Sequence, residues 1–286
     1  MPARPKQILR YSIQSGDDVT LPKELSLEGL FTRNGYRPAM ALRRLDPQDY
    51  FRNLAPNDVL ERRRVLIESG DYVHEPAREE DREAVIHFAG TFASVNHVRS
   101  FRELGAVWEP DFVLLRRDES EKVTGGCVCF PTGWSLAEKQ NQKVSIVHGP
   151  VPGLNARLGS SVEQFFARLK PGECYQRSNW SLTSSTQMNQ RPQDSIPEIA
   201  SDCDATRTFL RVEWQALIAI DESRIIFGIR IYHCALEVVQ RNREAAHLLA
   251  ENLRTMPEEM LQYKRLARCQ KRVIGLLSGG RCQVSD

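Results

Sequence analysis

The spacing of apolar residues changes along the chain and separates a helical part from a strand-rich part. Between residues 36 and 107 apolar positions recur every three or four residues, as at Phe88 and Phe92, which predicts amphipathic helices. One of these helices is predicted from Asn57 to Glu68. The run Arg62-Arg63-Arg64 inside it is interpreted as a solvated helical face.

After Trp108 the pattern changes to short apolar or alternating runs separated by turn residues, which is typical of strands. A helix is predicted among them, with a capping box formed by Ser160 and Glu163. Together the runs predict one antiparallel sheet. The predicted strands are 111–116, 123–130, 144–148, 176–182, 207–218 and 225–232.

The two ends of the chain differ from this strand-rich part. Residues 1–35 are polar and rich in Pro and Gly, so they predict an arm, whereas residues 237–286 predict helices. Residues 183–205 are polar and predict a long surface loop of the kind that often covers a site. The fold class predicted is α+β, in four sections: 1–35, 36–107, 108–236 and 237–286.

Composition limits the classes of function. The formal net charge of the 286 residues is only +2, which argues against a dedicated nucleic-acid binder. No run reaches the length of a membrane span and the N-terminus lacks the apolar core of a signal peptide, so we expect a soluble, cytoplasmic protein. The seven cysteines include no C-x-x-C pair, which predicts reduced thiols and no zinc ribbon.

His148 is the best single candidate for a metal ligand. It lies before a Gly-Pro-Val-Pro segment, and the two prolines restrict the backbone beside it to extended or turn geometry. A stiffly held imidazole suits a metal centre, although a hydrogen-bonded core or loop histidine is the alternative. No other histidine has companion ligands at metal-site spacing, and the phosphate-binding, dinucleotide-binding and hydrolase motifs are absent from the sequence.

Two predicted strands carry rows of polar side chains. Alternation places Arg211, Glu213 and Gln215 on one face of their strand, with Trp214 on the other face. In the strand at 176–182 the same geometry groups Arg177, Asn179 and Ser181, while Trp180 points away. Each row faces either solvent or an enclosed polar cavity, and two rows on neighbouring strands could line a single pocket.

Seven short motifs in this order resemble the haem-dependent oxidative N-demethylase family, over roughly residues 36 to 268. The family comprises the α subunit of dimethylamine monooxygenase and its bacterial and fungal relatives. The motifs are Phe130-Pro131-x-x-Trp134, Glu138-Lys139, Ile146-x-His148-x-Pro150-Val151-Pro152, Arg177-x-Asn179-Trp180, Arg211-Val212-Glu213-x-Gln215-x-Leu217, Phe227-x-Ile229-Arg230-x-Tyr232 and Tyr263-Lys264.

The resemblance implies a PAS-like antiparallel sheet that cradles haem b, with a histidine as the axial ligand. It also implies removal of an N-methyl group from a small secondary amine, using oxygen and electrons from a reductant. At the matching position the axial ligand is His148. Because this chain has no flavin or nicotinamide motif, we expect the electrons to come from a separate reductase.

The polar residues then have candidate roles. Glu213 is the expected anchor for a protonated amine. Arg177, Arg211 and Lys139 are candidates for binding haem propionates or polarising oxygen, and Asn179 belongs to the same set. Trp134 and Trp180 are expected to pack on the porphyrin or its edge.

Two positions depart from the family pattern. Trp214 stands where the family usually has a second Arg, and the expectation is that this loss of a cation beside the cavity changes the substrate or propionate binding. Asn141 replaces a usual Gly, and Asn tolerates the left-handed conformation that a Gly could serve there.

Two other functions remain open at this point. One is a haem-binding PAS-like sensor or ligand carrier without turnover, and the other is a cofactor-free interaction protein that kept the fold. The charged rows at 177–181 and 211–215 favour the oxygenase, because a gas sensor needs fewer charged groups around its ligand.

Overall fold

The computed structural model describes residue 22 and residues 25–54, 57–119 and 121–279. Most of the predicted N-terminal arm lies outside the described residues. Its last part differs from the prediction, because Leu30 and Phe31 are buried in a core cluster. The apolar side chains of this segment outweigh its Pro and Gly content.

A seven-stranded sheet forms the centre of the molecule, and every strand pairing in it is antiparallel. The strand order is β1-β5-β6-β7-β3-β4-β2. The α+β class and the single antiparallel sheet are thereby confirmed. The strands are β1 (Arg43–Arg44), β2 (Val73–His74), β3 (Asp111–Arg116), β4 (Lys122–Cys127), β5 (Cys174–Thr183), β6 (Phe209–Ala219) and β7 (Arg224–Ala235).

Eleven α-helices of the described residues surround the sheet, with 3₁₀ turns at Glu28–Leu30, Arg117–Glu119 and Pro192–Asp194. The helices are α1 (Pro47–Phe51), α2 (Asn57–Ser69), α3 (Glu79–Ala89), α4 (Phe101–Val107), α5 (Leu136–Lys139), α6 (Val144–Val147), α7 (Leu154–Arg168), α8 (Leu236–Arg241), α9 (Arg243–Thr255), α10 (Glu258–Tyr263) and α11 (Gln270–Leu277).

One face of the sheet is covered by helices from both ends of the chain. On β6, Trp214 and Ala216 pack with apolar residues of α1 to α4, while Leu210 and Val212 pack with α8 to α11. Trp180 of β5 lies in this second cluster, edge-on to Phe31. Apolar side chains at every second strand position produce this covered face.

Helices α5 to α7 follow β4 and lead into β5, and they cover part of the opposite face. Phe166 and Leu169 pack there with Leu217 and Ile225, and Val144 and Val147 of α6 contact the same cluster. This apolar cover ends where β5 and β6 become polar. The uncovered polar part of the face is the region of the candidate site.

Two local predictions between β4 and β5 are wrong. Residues 144–148 form the helical turn α6 in place of a strand, with the His148 amide donating to the Val144 carbonyl at 2.9 Å. The helix predicted to begin at Ser160 begins at Leu154, after Gly153 in a left-handed conformation with φ +66°. In both cases packing against the sheet outweighs the local sequence signal.

Candidate functional site

The two polar rows predicted from the sequence lie side by side on β5 and β6. The opposing pairs are Arg177 with Gln215, Asn179 with Glu213, and Ser181 with Arg211. Opposing residues of an antiparallel pair project to the same face, so the six side chains share one face of the sheet. It is the face that the helices after β4 cover only at its apolar end.

Glu213 is a buried carboxylate at the centre of this polar patch, with 9 % of its surface exposed. Its Oε2 accepts a hydrogen bond from Gln215 Nε2 at 2.8 Å and a longer one from Asn179 Nδ2 at 3.4 Å. Among the described residues no Lys or Arg forms an ion pair with it. Its hydrogen bonds come only from amides, and the positive charges of Arg177 and Lys264 act on it without pairing, so its oxygens remain able to receive a cationic ligand.

A cavity of about 370 Å³ opens beside Glu213, along the outer edge of β5. Because β1 pairs with β5 only at Tyr175 and Gln176, the edge beyond them has no strand partner in the described part of the chain. The cavity is enclosed by the turn at 132–134, the loop at 190–199 and residues 263–265. Its lining includes Trp134, Asn179, Trp180, Arg191, Glu213, Tyr263, Lys264 and Arg265.

Lys264 closes one side of this cavity. Its Nζ donates to the Trp180 carbonyl at 2.6 Å and lies 5.3 Å from the centroid of the Trp180 ring. Burial lowers the pKa of Lys264 to about 8, although the negative charge of Glu213 opposes that shift. The ammonium group therefore remains mostly charged at neutral pH, close to the free edge of β5.

His148 caps the end of α6 in a turn, with φ −79° and ψ −14°. The prolines at 150 and 152 restrict Gly149 and Val151, so the histidine itself keeps a helical backbone. Burial lowers the pKa of His148, and the positive charge of Arg177 lowers it further. The imidazole is consequently neutral at pH 7, and its ring has no hydrogen-bond partner among the described side chains and backbone.

Arg177 interacts electrostatically with both His148 and Glu213. Burial lowers the pKa of this guanidinium, while the charge of Glu213 raises it. Its Nε is buried without a hydrogen-bond partner in the described structure. A cation with an unused buried donor is available to a ligand with an anionic oxygen.

Arg211 has a different environment from the one that its position in the polar row suggested. Its guanidinium is fully buried and its donors contact protein acceptors, so none is directed at the cavity. The acceptors are Thr132 Oγ1, His233 Nε2, and the carbonyl oxygens of Phe130, Pro131, Gln187 and Met188. The structure therefore assigns Arg211 to holding the 130–132 turn and the 187–188 loop against β6, which corrects its expected contact with propionate or oxygen.

Of the other predicted site residues, the fold brings some to the cavity and others away from it. Trp134 lines the cavity. The Trp180 ring belongs to the core on the helix-covered face, and Lys139 ends α5 and lines neither the large cavity nor the smaller one near Tyr36. Trp214 does not lie beside the cavity, because its ring is fully buried against Tyr50 on the face away from Glu213, and its effect on binding stays a prediction.

Several cavity residues had no signal, or a misleading one, in the sequence. Arg191 lies in the long polar loop at 183–205, where nothing marks one residue above another. Tyr263 and Lys264 stand out in the sequence only as the last family motif. The basic residues around them are typical of a solvated helical face; they are Lys264, Arg265, Arg268, Lys271 and Arg272. Asn141 does adopt the left-handed conformation that its sequence allowed, with φ +63°.

Two features are absent from the described residues. No group of three or more His, Cys, Asp or Glu side chains there is arranged to hold a metal ion. No helix there has both the length and the apolar character needed to cross a bilayer.

The comparison with known protein families agrees with the motifs. The family described as haem-dependent oxidative N-demethylase, alpha subunit-like, matches residues 80–274, which include the polar strands, His148 and most of the cavity wall. On this match, the chain belongs to the haem-dependent oxidative N-demethylase, alpha subunit-like family.

Proposed function

We propose that this protein is a haem-dependent oxygenase that removes an N-methyl group from a small amine. The observation that carries the proposal is Glu213, a buried carboxylate without an ion-pair partner among the described residues, at the wall of a cavity. The family match supports the reaction class and haem dependence.

The residues around His148 fit a haem group. A single neutral imidazole would be sufficient to hold it, since the four porphyrin nitrogens would supply the remaining ligands of the iron, and His148 is neutral and free of a competing hydrogen bond in the described structure. The unused buried Nε of Arg177 suits a propionate oxygen. The sequence contains no C-x-x-C-H attachment motif, so the proposal is haem b.

The connectivity supports a PAS-like cradle. Strands β3 to β7 are arranged in the order β4-β3-β7-β6-β5, and α5 to α7 are inserted between the second and third of them in the chain. Because α6 packs against Leu217 and the charge of Arg177 acts on His148, we infer that His148 lies on the same side of the sheet as Arg177 and Glu213. We interpret the space between these helices and the polar rows as the cofactor site.

Bound haem supplies an iron centre that reacts with oxygen. Glu213 holds the protonated amine, and the amides of Asn179 and Gln215 fix the direction of its carboxylate. Trp134 and the 190–199 loop limit access of water to the cavity. Overall, the N-methyl amine, O₂, two electrons and two protons give the demethylated amine, formaldehyde and water. We propose that a separate reductase provides the electrons.

Absorption spectroscopy tests the cofactor. The purified protein is expected to show a Soret band that shifts with dithionite and again with carbon monoxide. His148→Ala is expected to lose most of the haem, whereas His247→Ala, an exposed position on α9, keeps it. Unchanged haem content in His148→Ala excludes it as the axial ligand. A normal spectrum without amine-dependent consumption of reductant supports a sensor instead.

Turnover of amine tests Glu213. Glu213→Gln keeps the hydrogen-bonding shape of the side chain but removes its charge, so amine-dependent reductant consumption should fall about 100-fold. The matched control is Glu83→Gln, an exposed residue of α3. If Glu213→Gln turns over the amine at the wild-type rate, the carboxylate does not anchor the substrate.

A further inference from the structure

The cavity beside Glu213 carries positive groups as well as the carboxylate. Arg191, Lys264 and Arg265 contribute to its wall together with two carboxylates, the buried Glu213 and the exposed Glu198. Within the described part of the chain none of the three forms an ion pair with Asp or Glu. The wall therefore has groups that can bind a cation and groups that can bind an anion.

The backbone of Arg191 is held by Asp194, whose Oδ2 accepts from the Arg191 amide at 2.8 Å, while its guanidinium has two other partners. Its guanidinium stacks over the Tyr72 ring, 4.5 Å from the centroid. Nε and Nη2 donate to the amide oxygen of Gln193 at 3.0 and 2.9 Å when that amide is oriented toward them. Neither partner is anionic, so a carboxylate entering the cavity gains a charge-assisted interaction with a preorganised guanidinium.

The volume of the cavity, like its charges, favours a ligand larger than a simple amine. A volume of about 370 Å³ falls in the range of about 300 to 1,000 Å³ that small-molecule sites occupy. A simple dialkylamine fills only a small part of it and adds a positive charge to a wall that already has three cations against two carboxylates. A ligand that also carries a carboxylate uses both the volume and the charges.

We propose that the cavity binds a zwitterionic N-methyl amino acid, with its ammonium at Glu213 and its carboxylate toward Arg191, Lys264 and Arg265. Removal of the methyl group from this ligand rests on the proposed function, but its binding does not. Recognition by two opposite charges fixes both ends of the molecule and discriminates against simple amines, which leave the cations unpaired.

The haem propionates are the competing explanation for the same three cations. If they occupy the cavity, removal of Arg191 or Arg265 must weaken haem retention. If the cations serve the amino acid, their removal must weaken its binding and leave haem content unchanged. The two readouts are independent and can be measured on the same preparation.

Calorimetry on the purified, oxidised protein without reductant tests the ligand class. The probes are N,N-dimethylglycine, dimethylamine, and 3-methylbutanoate, which has the shape of dimethylglycine but no amino group. Dimethylglycine is expected to bind about ten-fold more tightly than either of the others. Equal or tighter binding of dimethylamine overturns the proposal, and so does the absence of dimethylglycine binding.

Variants then assign the carboxylate site. Arg191→Gln and Arg265→Gln are each expected to weaken dimethylglycine about ten-fold, leave dimethylamine affinity unchanged and keep the wild-type Soret-to-protein ratio. Arg241→Gln, an exposed residue at the end of α8, is the control. Variants that lose haem, or that bind dimethylglycine as the wild type does, overturn the assignment.

The same measurements separate this proposal from the function on which it rests. Dimethylglycine binding without turnover in the presence of a reductant contradicts the demethylase function and leaves the zwitterion site standing. Turnover of dimethylamine without binding of dimethylglycine supports the demethylase function and contradicts the zwitterion site.

Discussion

At the scale of single residues, burial decides what a charged side chain does. Arg63, in a run of three arginines, is fully buried and forms an ion pair with Asp111 at the start of β3. It also donates to the Gly105 carbonyl at 2.8 Å and to Cys127 Sγ at 3.3 Å. The prediction of a solvated face is therefore wrong for Arg63. Its function is to join α2 to the sheet.

Removal of the Asp111 charge should destabilise the fold strongly. In Asp111→Asn the guanidinium of Arg63 stays buried without a counter-ion, which costs about 3 to 5 kcal/mol of unfolding free energy. Urea titration followed by circular dichroism measures the loss. Asp202→Asn, at an exposed position, should change stability by less than about 0.5 kcal/mol. A loss below about 1 kcal/mol in Asp111→Asn contradicts this account of the pair.

Lys264 gives a pH-dependent prediction. Its pKa is about 8 in the folded protein and has its ordinary value in the unfolded chain, about 10.4. Between these values the unfolded state binds more protons, so the contribution of Lys264 to stability increases with pH. Lys264→Met lacks this pH-dependent contribution to stability. Its stability relative to wild type should therefore fall between pH 8 and pH 10, by at most about 1.4 kcal/mol per pH unit.

The measurement is the urea unfolding free energy of both proteins at pH 7.5 and pH 9.5. Lys271→Met, at an exposed position of α11, is the control and should show the same difference from wild type at both values. A constant difference for Lys264→Met means that Lys264 titrates at its ordinary pKa.

At the scale of elements, one glycine sets how closely α1 approaches the sheet. A Cβ at Gly228 of β7 would lie 2.6 Å from Cε1 of Tyr50 and 3.1 Å from Cε1 of Phe51. That approach lets the Tyr50 hydroxyl donate to the Trp214 carbonyl at 2.9 Å. The absence of a side chain at residue 228 thus permits the aromatic cluster on the covered face.

Gly228→Ala should move α1 away from the sheet and cost about 1 to 3 kcal/mol, because the core around it cannot yield. Gly159→Ala is the matched control, since Gly159 lies inside α7 and its added Cβ would contact nothing within 4 Å. That variant should gain about 0.5 to 1 kcal/mol through higher helix propensity. Thermal unfolding compares the two, and similar melting temperatures would contradict the packing argument.

At the scale of the whole molecule, the two faces of the sheet have different tasks. Helices from both ends of the chain bury one face in apolar clusters. The other face keeps its polar rows beside the cavity and beside His148. A ligand bound on this face is expected to add stability to the whole domain, because it interacts with the folded state alone.

Haem should therefore raise the melting temperature of the apoprotein. At a free haem concentration about 100-fold above its dissociation constant, the gain is about 2.7 kcal/mol. Differential scanning calorimetry with and without added haemin measures it. In His148→Ala the increase should be largely lost, whereas His247→Ala should match the wild type. The same increase in all three proteins would mean that haem binds elsewhere.

The sequence by itself determined the α+β class, the antiparallel sheet, the helices at both ends and the polar rows on β5 and β6. These features depend on residue periodicity, and alternation along a strand follows directly from backbone geometry. The same alternation placed the Trp214 side chain on the face of β6 that does not carry Glu213. The order of the motifs was sufficient for the family, which the match over residues 80–274 confirms.

Only the tertiary structure decided which charges meet. The ion pair of Arg63 with Asp111 and the hydrogen bonds of Arg211 to loop carbonyls join residues far apart in the chain. So does the cavity that Arg191, Lys264 and Glu213 line together. The helical turn at His148 also depends on packing of α6 against the sheet. Local sequence carries no record of such contacts, because the energy of a charge depends on its surroundings more than on its neighbours in the chain.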